Sequence, residues 1–256
     1  MAEQMRDTQL DLAERLACAE RQRDQLQAEF DAFSGAISHD MRGPLQVQKG
    51  LLSLLLSHNS ALLDDQTRQF LDLIDRSADR LDAMVCGLVE WARVGRARTA
   101  PTAIHCASFV VACQFDVRDR LLAAGGQLDW GPLPESICGD ANQLRQVIVL
   151  LVDNALIHHG PGTPHIKIEV LSTAAGWLVT VADDGQGMDA ADAERIFAPF
   201  QRLDRRTESS AAGMGLTICQ RIVEHHGGEL TVQSSPGAGA RFSFSLPLQP
   251  PPILHI

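Results

Sequence analysis

The stretch Ile37-Ser-His-Asp-Met41 sets a histidine and an aspartate side by side in a helix-period run. His39 lies two positions after the apolar Ile37, about 200° around a helix, so it faces solvent when Ile37 faces a core. An exposed imidazole can attack a phosphorus atom through one ring nitrogen when an acceptor holds the other as N–H, and Asp40 is the nearest carboxylate. Pro44, just below, removes a helix hydrogen bond and can bend the helix there. By itself such a pair is more often an ordinary solvated helix face.

A second set of residues suits a nucleotide. Asp183-Asp-Gly-Gln-Gly-Met188 follows the strand-like run Trp177 to Ala182, so its carboxylate stands at a strand end. There Asp183 can accept a hydrogen bond from an adenine amino group, while Gly185 and Gly187 let the backbone approach closely. A tight turn explains the same pattern as well. Gly213 and Gly215 precede a helix-period run from Leu216 to His226, an arrangement that offers backbone N–H groups and a helix N-terminus to phosphate. Within the helical Gln143 to Ala155, Asn154 carries a neutral oxygen able to ligate Mg²⁺ beside ATP phosphates, or to be satisfied by backbone in a core.

These residues need elements to hold them. Apolar positions at Leu12, Leu16, Ala19, Leu26, Phe30, Phe33 and Ile37 alternate by four and three, a coiled-coil stripe interrupted at Arg23. A second stripe runs through Phe70, Ile74, Ser77, Leu81, Met84, Leu88 and Trp91. Leu51 to Leu56 continues the first helix, and His58-Asn-Ser60 can end it. Two helices with one apolar stripe each predict a two-fold dimer forming a four-helix bundle, unless the stripes pack on the chain's own second half. Gly95 to Pro101, small and basic, reads as a linker. Beyond it helical stretches (Ser108 to Ala124, Asn142 to His158, Leu216 to His226) alternate with strand-like ones (His165 to Leu171, Trp177 to Ala182, Glu229 to Ser234, Ala240 to Leu246). The last two strands, joined by Ser235-Pro-Gly-Ala-Gly239, read as an antiparallel hairpin, and the whole as an α+β sandwich with a mostly antiparallel sheet.

Composition narrows the function classes. A chain of 256 residues with 45% hydrophobic content builds ordinary cores, and a net charge of −10 argues against a nucleic-acid surface. The six cysteines form no CxxC pair or CxxH cluster, so neither zinc nor a disulfide framework is expected. No apolar run approaches the roughly 20 residues that span a bilayer, which makes the chain a cytoplasmic protein or the cytoplasmic end of a longer one.

Phe33 to Leu45 resembles the phosphoacceptor box of histidine kinases, and Glu29 to Ser34 resembles that of the phytochrome-like branch. Asn154 with its helix, Asp183-x-Gly185-x-Gly187, Ile196-Phe-Ala-Pro-Phe200 and Gly213-Met-Gly-Leu216 resemble, in order, the N, G1, F and G2 boxes of the ATP-binding domain shared by histidine kinases, gyrase and MutL. The resemblance covers about Glu29 to Leu248. It implies that His39 is phosphorylated with Asp40 as its acid/base partner, and that Asp183 binds adenine while Asn154 ligates Mg²⁺. It further implies that Gly185, Gly187, Phe200, Gly213, Gly215 and Leu216 shape the ATP pocket, under a lid from Gln201 to Ala212. The implied division is a signalling helix over 1–29, a dimerisation and phosphotransfer hairpin over 30–95, a linker over 96–102, a catalytic domain over 103–249 and a tail over 250–256. The implied partners are a second copy of the chain, a response-regulator receiver domain whose aspartate takes the phosphoryl group, and a separate sensor or upstream sensory domain.

Three positions depart from the family pattern. Leu150 stands where an earlier asparagine is usual, Ile157 where a lysine is usual, and Ala211 replaces the first glycine of the G2 box. His158, His159, Arg202, Arg205 and Arg206 are the cations able to compensate. The alternative these departures raise is a degenerate kinase, a dimeric phosphotransfer or scaffold module with weak or no ATP turnover.

Overall fold

The computed structural model describes residues 41–55, 63–96, 101–193, 195–201 and 213–248. His39, Asp40, the first stripe from Leu12 to Ile37, and positions 202–212 including Ala211 lie outside the described residues.

The chain enters the described part as a helix over residues 41–55 (α1) and returns as α2 (Asp65–Arg96). Asp64 starts α2 by accepting the Thr67 N–H on Oδ1 at 2.7 Å, which satisfies one of the donors a helix leaves open at its beginning. Arg42 lies against Cys86 and Lys49 pairs with Asp79 at 2.6 Å, one heptad apart on both helices, so the two run antiparallel. Leu45, Leu52, Ala78 and Val85 are buried along this hairpin.

The second stripe divides. Phe70 and Ile74 are 56% and 52% exposed, whereas Trp91, at its other end, packs against the core of the chain's second half. The Trp91 end of the stripe therefore packs on the chain's own second half, and the Phe70 and Ile74 end stays bare in the single chain.

After α2 come β1 (Thr102–His105), α3 (Cys106–Ala123), β2 (Gln127–Trp130), β3 (Ser136–Gly139) and α4 (Ala141–His158). Then follow β4 (His165–Thr173), β5 (Gly176–Asp183), α5 (Gly215–His225), β6 (Leu230–Ser234) and β7 (Ala240–Pro247). Five strands make one mixed sheet in the order β2-β4-β5-β7-β6, parallel only between β2 and β4. The expected hairpin is present as β6 and β7, with Ser234 opposite Ala240. A small antiparallel sheet of β1 and β3, and strand β2, were not foreseen from the sequence.

Period-two alternation sends one side of each strand inward. Ile166, Ile168, Val179, Val181, Phe242, Phe244 and Leu246 are buried under the helices together with Val147, Leu151 and Ile222. The other side is mostly polar: Thr180 and Ser243 share a hydrogen bond at 3.1 Å, and Lys167, Glu169 and Arg241 form an ion-pair row. Helices thus cover only one face, as the α+β expectation requires. Phe242 and Phe244 are almost fully buried; truncating either to alanine costs about 3–5 kcal/mol by removing transfer energy and leaving a cavity. Among the described residues no helix is long and apolar enough to cross a membrane.

Candidate functional site

One face of α4 supplies the first wall. Its buried side (Leu144, Val147, Ile148, Leu151, Val152, Ala155) anchors it to the sheet. Leu150, Asn154 and His158, each one turn further along, share a different face. Asn154 is half-buried, and among the described residues its side chain makes no hydrogen bond. The alternative of a core asparagine satisfied by backbone is therefore not what the described residues contain.

Asp183, the last residue of β5, faces that wall across a pinned loop. Its Oδ1 accepts the Gly185 N–H at 2.9 Å and the Ala240 N–H at 3.2 Å, which fixes the carboxyl plane. Among the described residues Oδ2 has no hydrogen-bond partner, which leaves one oriented acceptor for a ligand donor. Burial pushes the Asp183 carboxyl above the ordinary carboxylate range, against the pull of the two backbone N–H groups; the neighbouring Asp184 adds to the rise.

The loop after Asp183 is held from three sides. The Gln186 N–H donates to the His158 carbonyl at 3.1 Å, and the Gln186 carbonyl accepts from Gly237 at 2.6 Å. The Met188 N–H donates to Ser234 Oγ at 2.9 Å. Gly187 has φ +65°, and a Cβ there would sit 2.0 Å from the Ser235 carbonyl oxygen, so only glycine fits. The turn of the β6–β7 hairpin and the end of α4 together set where Asp183 points.

The third wall is the start of α5. Gly213, with φ +69°, accepts the Phe200 N–H on its carbonyl at 3.0 Å and turns the chain into the helix. The N-cap is Met214, which has no side-chain cap hydrogen bond. The first-turn N–H groups of Gly215, Leu216 and Thr217 therefore have neither an intrahelical acceptor nor a capping side chain. Such a turn, at the positive end of the helix dipole, is suited to an anion. Leu150 reaches toward it: its Cδ2 lies 3.7 Å from where a Cβ on Gly215 would stand.

Asn154, Asp183, Gly185, Gly187, Gly213 and Gly215 thus lie on α4, the β5 loop and the α5 turn. Leu216 packs its side chain on the core and has only its backbone N–H to offer a ligand. Phe200 is 41% exposed and left-handed at φ 63°, and its backbone N–H ties it to Gly213. Ser234, Ser235 and Ala240 support the loop through backbone or a single hydroxyl and so leave no sign in the sequence. Met214 was visible only as the residue between two glycines. Its seat is in α2: a Cβ on Gly87 would lie 2.7 Å from both Cβ and Cγ of Met214.

The chain resembles known proteins along most of its length. The family described as histidine kinase-, DNA gyrase B- and HSP90-like ATPase matches residues 139–250, and the His Kinase A (phospho-acceptor) domain matches residues 31–96. Phytochrome-like protein Cph1 of Synechocystis sp. is 31% identical over 92% of this chain, which spans 31% of that protein's length. Adaptive-response sensory kinase SasA of Synechococcus sp. is 30% identical over 93% of this chain and 66% of its own length. Among solved structures, full-length ShkA in complex with AMPPNP superposes with a TM-score of 0.62 at 26% identity, covering 85% of this chain and 46% of that one.

Proposed function

Because the chain belongs to the sensor histidine kinases, we propose that it phosphorylates its own His39 from ATP and passes the phosphoryl group to an aspartate of a response-regulator receiver domain. The observation that carries the reading is the uncapped first turn of α5; the second Asp183 oxygen and the Asn154 amide, neither with a hydrogen-bond partner among the described residues, support it. In this reading Asp183 accepts from the adenine amino group and the α5 turn binds phosphate oxygens. Among the described residues no three His, Cys, Asp or Glu side chains gather as a metal cage. That fits Mg²⁺, which keeps several waters and takes only one or two protein oxygens beside substrate phosphates, so Asn154 suffices as its protein ligand. When bound, the ion neutralises charge on those phosphates.

A ring nitrogen of His39 then forms a bond to the γ-phosphorus as the bond to the bridging oxygen breaks and ADP leaves. Asp40 holds the other ring nitrogen as N–H and stabilises the positive charge that the ring acquires. The bare apolar residues of the hairpin, Val47, Leu51, Phe70, Ile74 and Leu81, support a dimer in which two hairpins close a four-helix bundle. A reaction fed by ATP places the domain in the cytoplasm.

The test is incubation of the purified protein with γ-labelled ATP and Mg²⁺. Acid-labile, base-stable label on the protein that is lost in His39→Gln is the expected result. Label that survives that substitution, or no label at any ATP concentration, would contradict it.

A further inference from the structure

The five-stranded sheet ends at β6, and among the described residues no strand follows it on that side. The Ser245 N–H donates to the Glu229 carbonyl at 3.0 Å. Hydrogen-bonded pairs alternate along an antiparallel ladder, so Thr231 and Gln233 bond to β7, while Leu230 and Val232 turn their N–H and C=O groups to the open side. Beside that edge runs a groove of about 790 Å³, bounded by β6, one face of α5 and the turn at Arg195–Phe197. Leu230, Val232, Phe197, Pro199 and Trp91 give it apolar walls, and Glu224 and Glu229 give it acidic ones. An open edge with an apolar groove alongside is a template for one more extended segment, whose main chain pairs with the edge and whose alternate side chains enter the groove.

We propose that residues 253–256 of the chain itself are that segment, docking beside β6 as a further strand. Leu230 stands opposite Phe244 and Glu229 beside Ser245, so β7 leaves the sheet, at Pro247, at the end where β6 begins. Residues 249–256, which lie outside the described ones, therefore start one strand away from the open edge. Reaching the far side of β6 takes two interstrand spacings, about 9.5 Å. Pro250, Pro251 and Pro252 have no N–H with which to join a ladder, and at the polyproline rise of about 3.1 Å per residue the three make a stiff spacer of about 9 Å. Ile253-Leu-His-Ile256 follows them, with the β-branched and apolar composition of a strand. In an extended segment Leu254 and Ile256 share one face, and Ile253 and His255 the other. Leu254 and Ile256 enter the groove beside Leu230 and Val232, and His255 then lies on the face of Glu229, an acidic partner suited to an imidazole N–H. Docking there also closes an edge on which a second copy of the sheet could otherwise pair.

The experiment measures backbone amide hydrogen exchange by NMR in the full chain, in the chain shortened to residue 248 and in Leu254→Asp/Ile256→Asp. In the full chain the Leu230 and Val232 amides should exchange about tenfold more slowly than in either variant, the scale of one net hydrogen bond. Thr231 and Gln233, which bond to β7 in all three proteins, check that the sheet is intact, and the double variant decides should the shortened chain fail that check. Equal exchange at Leu230 and Val232 in the full chain and the folded variants overturns the docking, whether the amides are fast because the edge is open or slow because something else covers it. Slow exchange that quickens on dilution in all three proteins identifies a second copy as the cover and overturns it as well.

Discussion

At the N-terminus of α4, Asp140 accepts the N–H groups of Asn142 at 2.9 Å and Gln143 at 3.1 Å, and its own N–H donates to His226 Nε2 at 3.0 Å. His226 is buried and completes the lock by donating from Nδ1 to the Ile222 carbonyl at 2.8 Å. At the N-terminus of α5, Met214 caps nothing and glycines stand on either side. Both helices lie in the same core under the same sheet. A helix beginning capped by its own side chains contributes stability and keeps fewer donors for a ligand. One left open forgoes that contribution, about 1 kcal/mol for a typical cap, and keeps its donors for an anion.

The open side should break most severely. Asp183→Asn keeps an oxygen for the Gly185 and Ala240 N–H groups but replaces the charged acceptor on the ligand side. ATP affinity should fall on the order of 100-fold, the scale of losing a hydrogen bond to a charged group. Stability should move the other way. Burial raises the folded-state pKa of Asp183, so the folded protein holds that proton over a range where the unfolded chain has released it. The stability this group contributes is present at low pH and is lost as pH rises through the folded pKa. At neutral pH the buried charge opposes folding, and Asp183→Asn should raise the melting temperature of the nucleotide-free protein, with the gain shrinking toward acid pH. Thermal melts at several pH values together with nucleotide titration check both halves.

The sealed side should give the opposite pattern. Asp140→Ala leaves the Asn142 and Gln143 N–H groups uncapped and should lower stability by about 1 kcal/mol, read as a lower denaturation midpoint with unchanged slope. Nucleotide affinity of the folded protein should not change. A cap variant that lost binding as well would show that the two helix starts are not independent.

The smallest change sharpens the contrast. Leu150 brings a methyl group to the α5 turn, where an amide could donate to a phosphate oxygen. Leu150→Asn should tighten ATP binding about threefold, a modest net hydrogen bond partly offset by burying the amide in the free protein. Equal or weaker binding would mean that the phosphates do not pass Leu150.

How much of this was legible in the sequence follows from the range of the interactions involved. The helical periods of α3, α4 and α5, the β6–β7 hairpin and the order of the glycine-bearing segments are local patterns and could be read directly. Thr102–His105, Gln127–Trp130 and Ser136–Gly139 are four residues each, too short for alternation to stand out from a loop. The lock between Asp140 and His226 and the seat of Met214 on Gly87 join residues far apart in the chain, and no local period records them. Nor could the stripe on α2 reveal that Phe70 and Ile74 stay exposed while Trp91 packs under Arg221. Asp183 was legible as a candidate ligand residue by type and place; that burial raises its pKa was not.

The most direct test of the contrast follows backbone amides while ADP and Mg²⁺ are added to ¹⁵N-labelled protein. The largest shifts are expected at Gly215, Leu216 and Thr217, at the open start of α5, with Asn142 and Gln143 at the Asp140-capped start of α4 nearly unmoved. Saturable binding that leaves the α5 amides in place, or that shifts Asn142 and Gln143 as strongly, would contradict the assignment of the uncapped turn as the phosphate site.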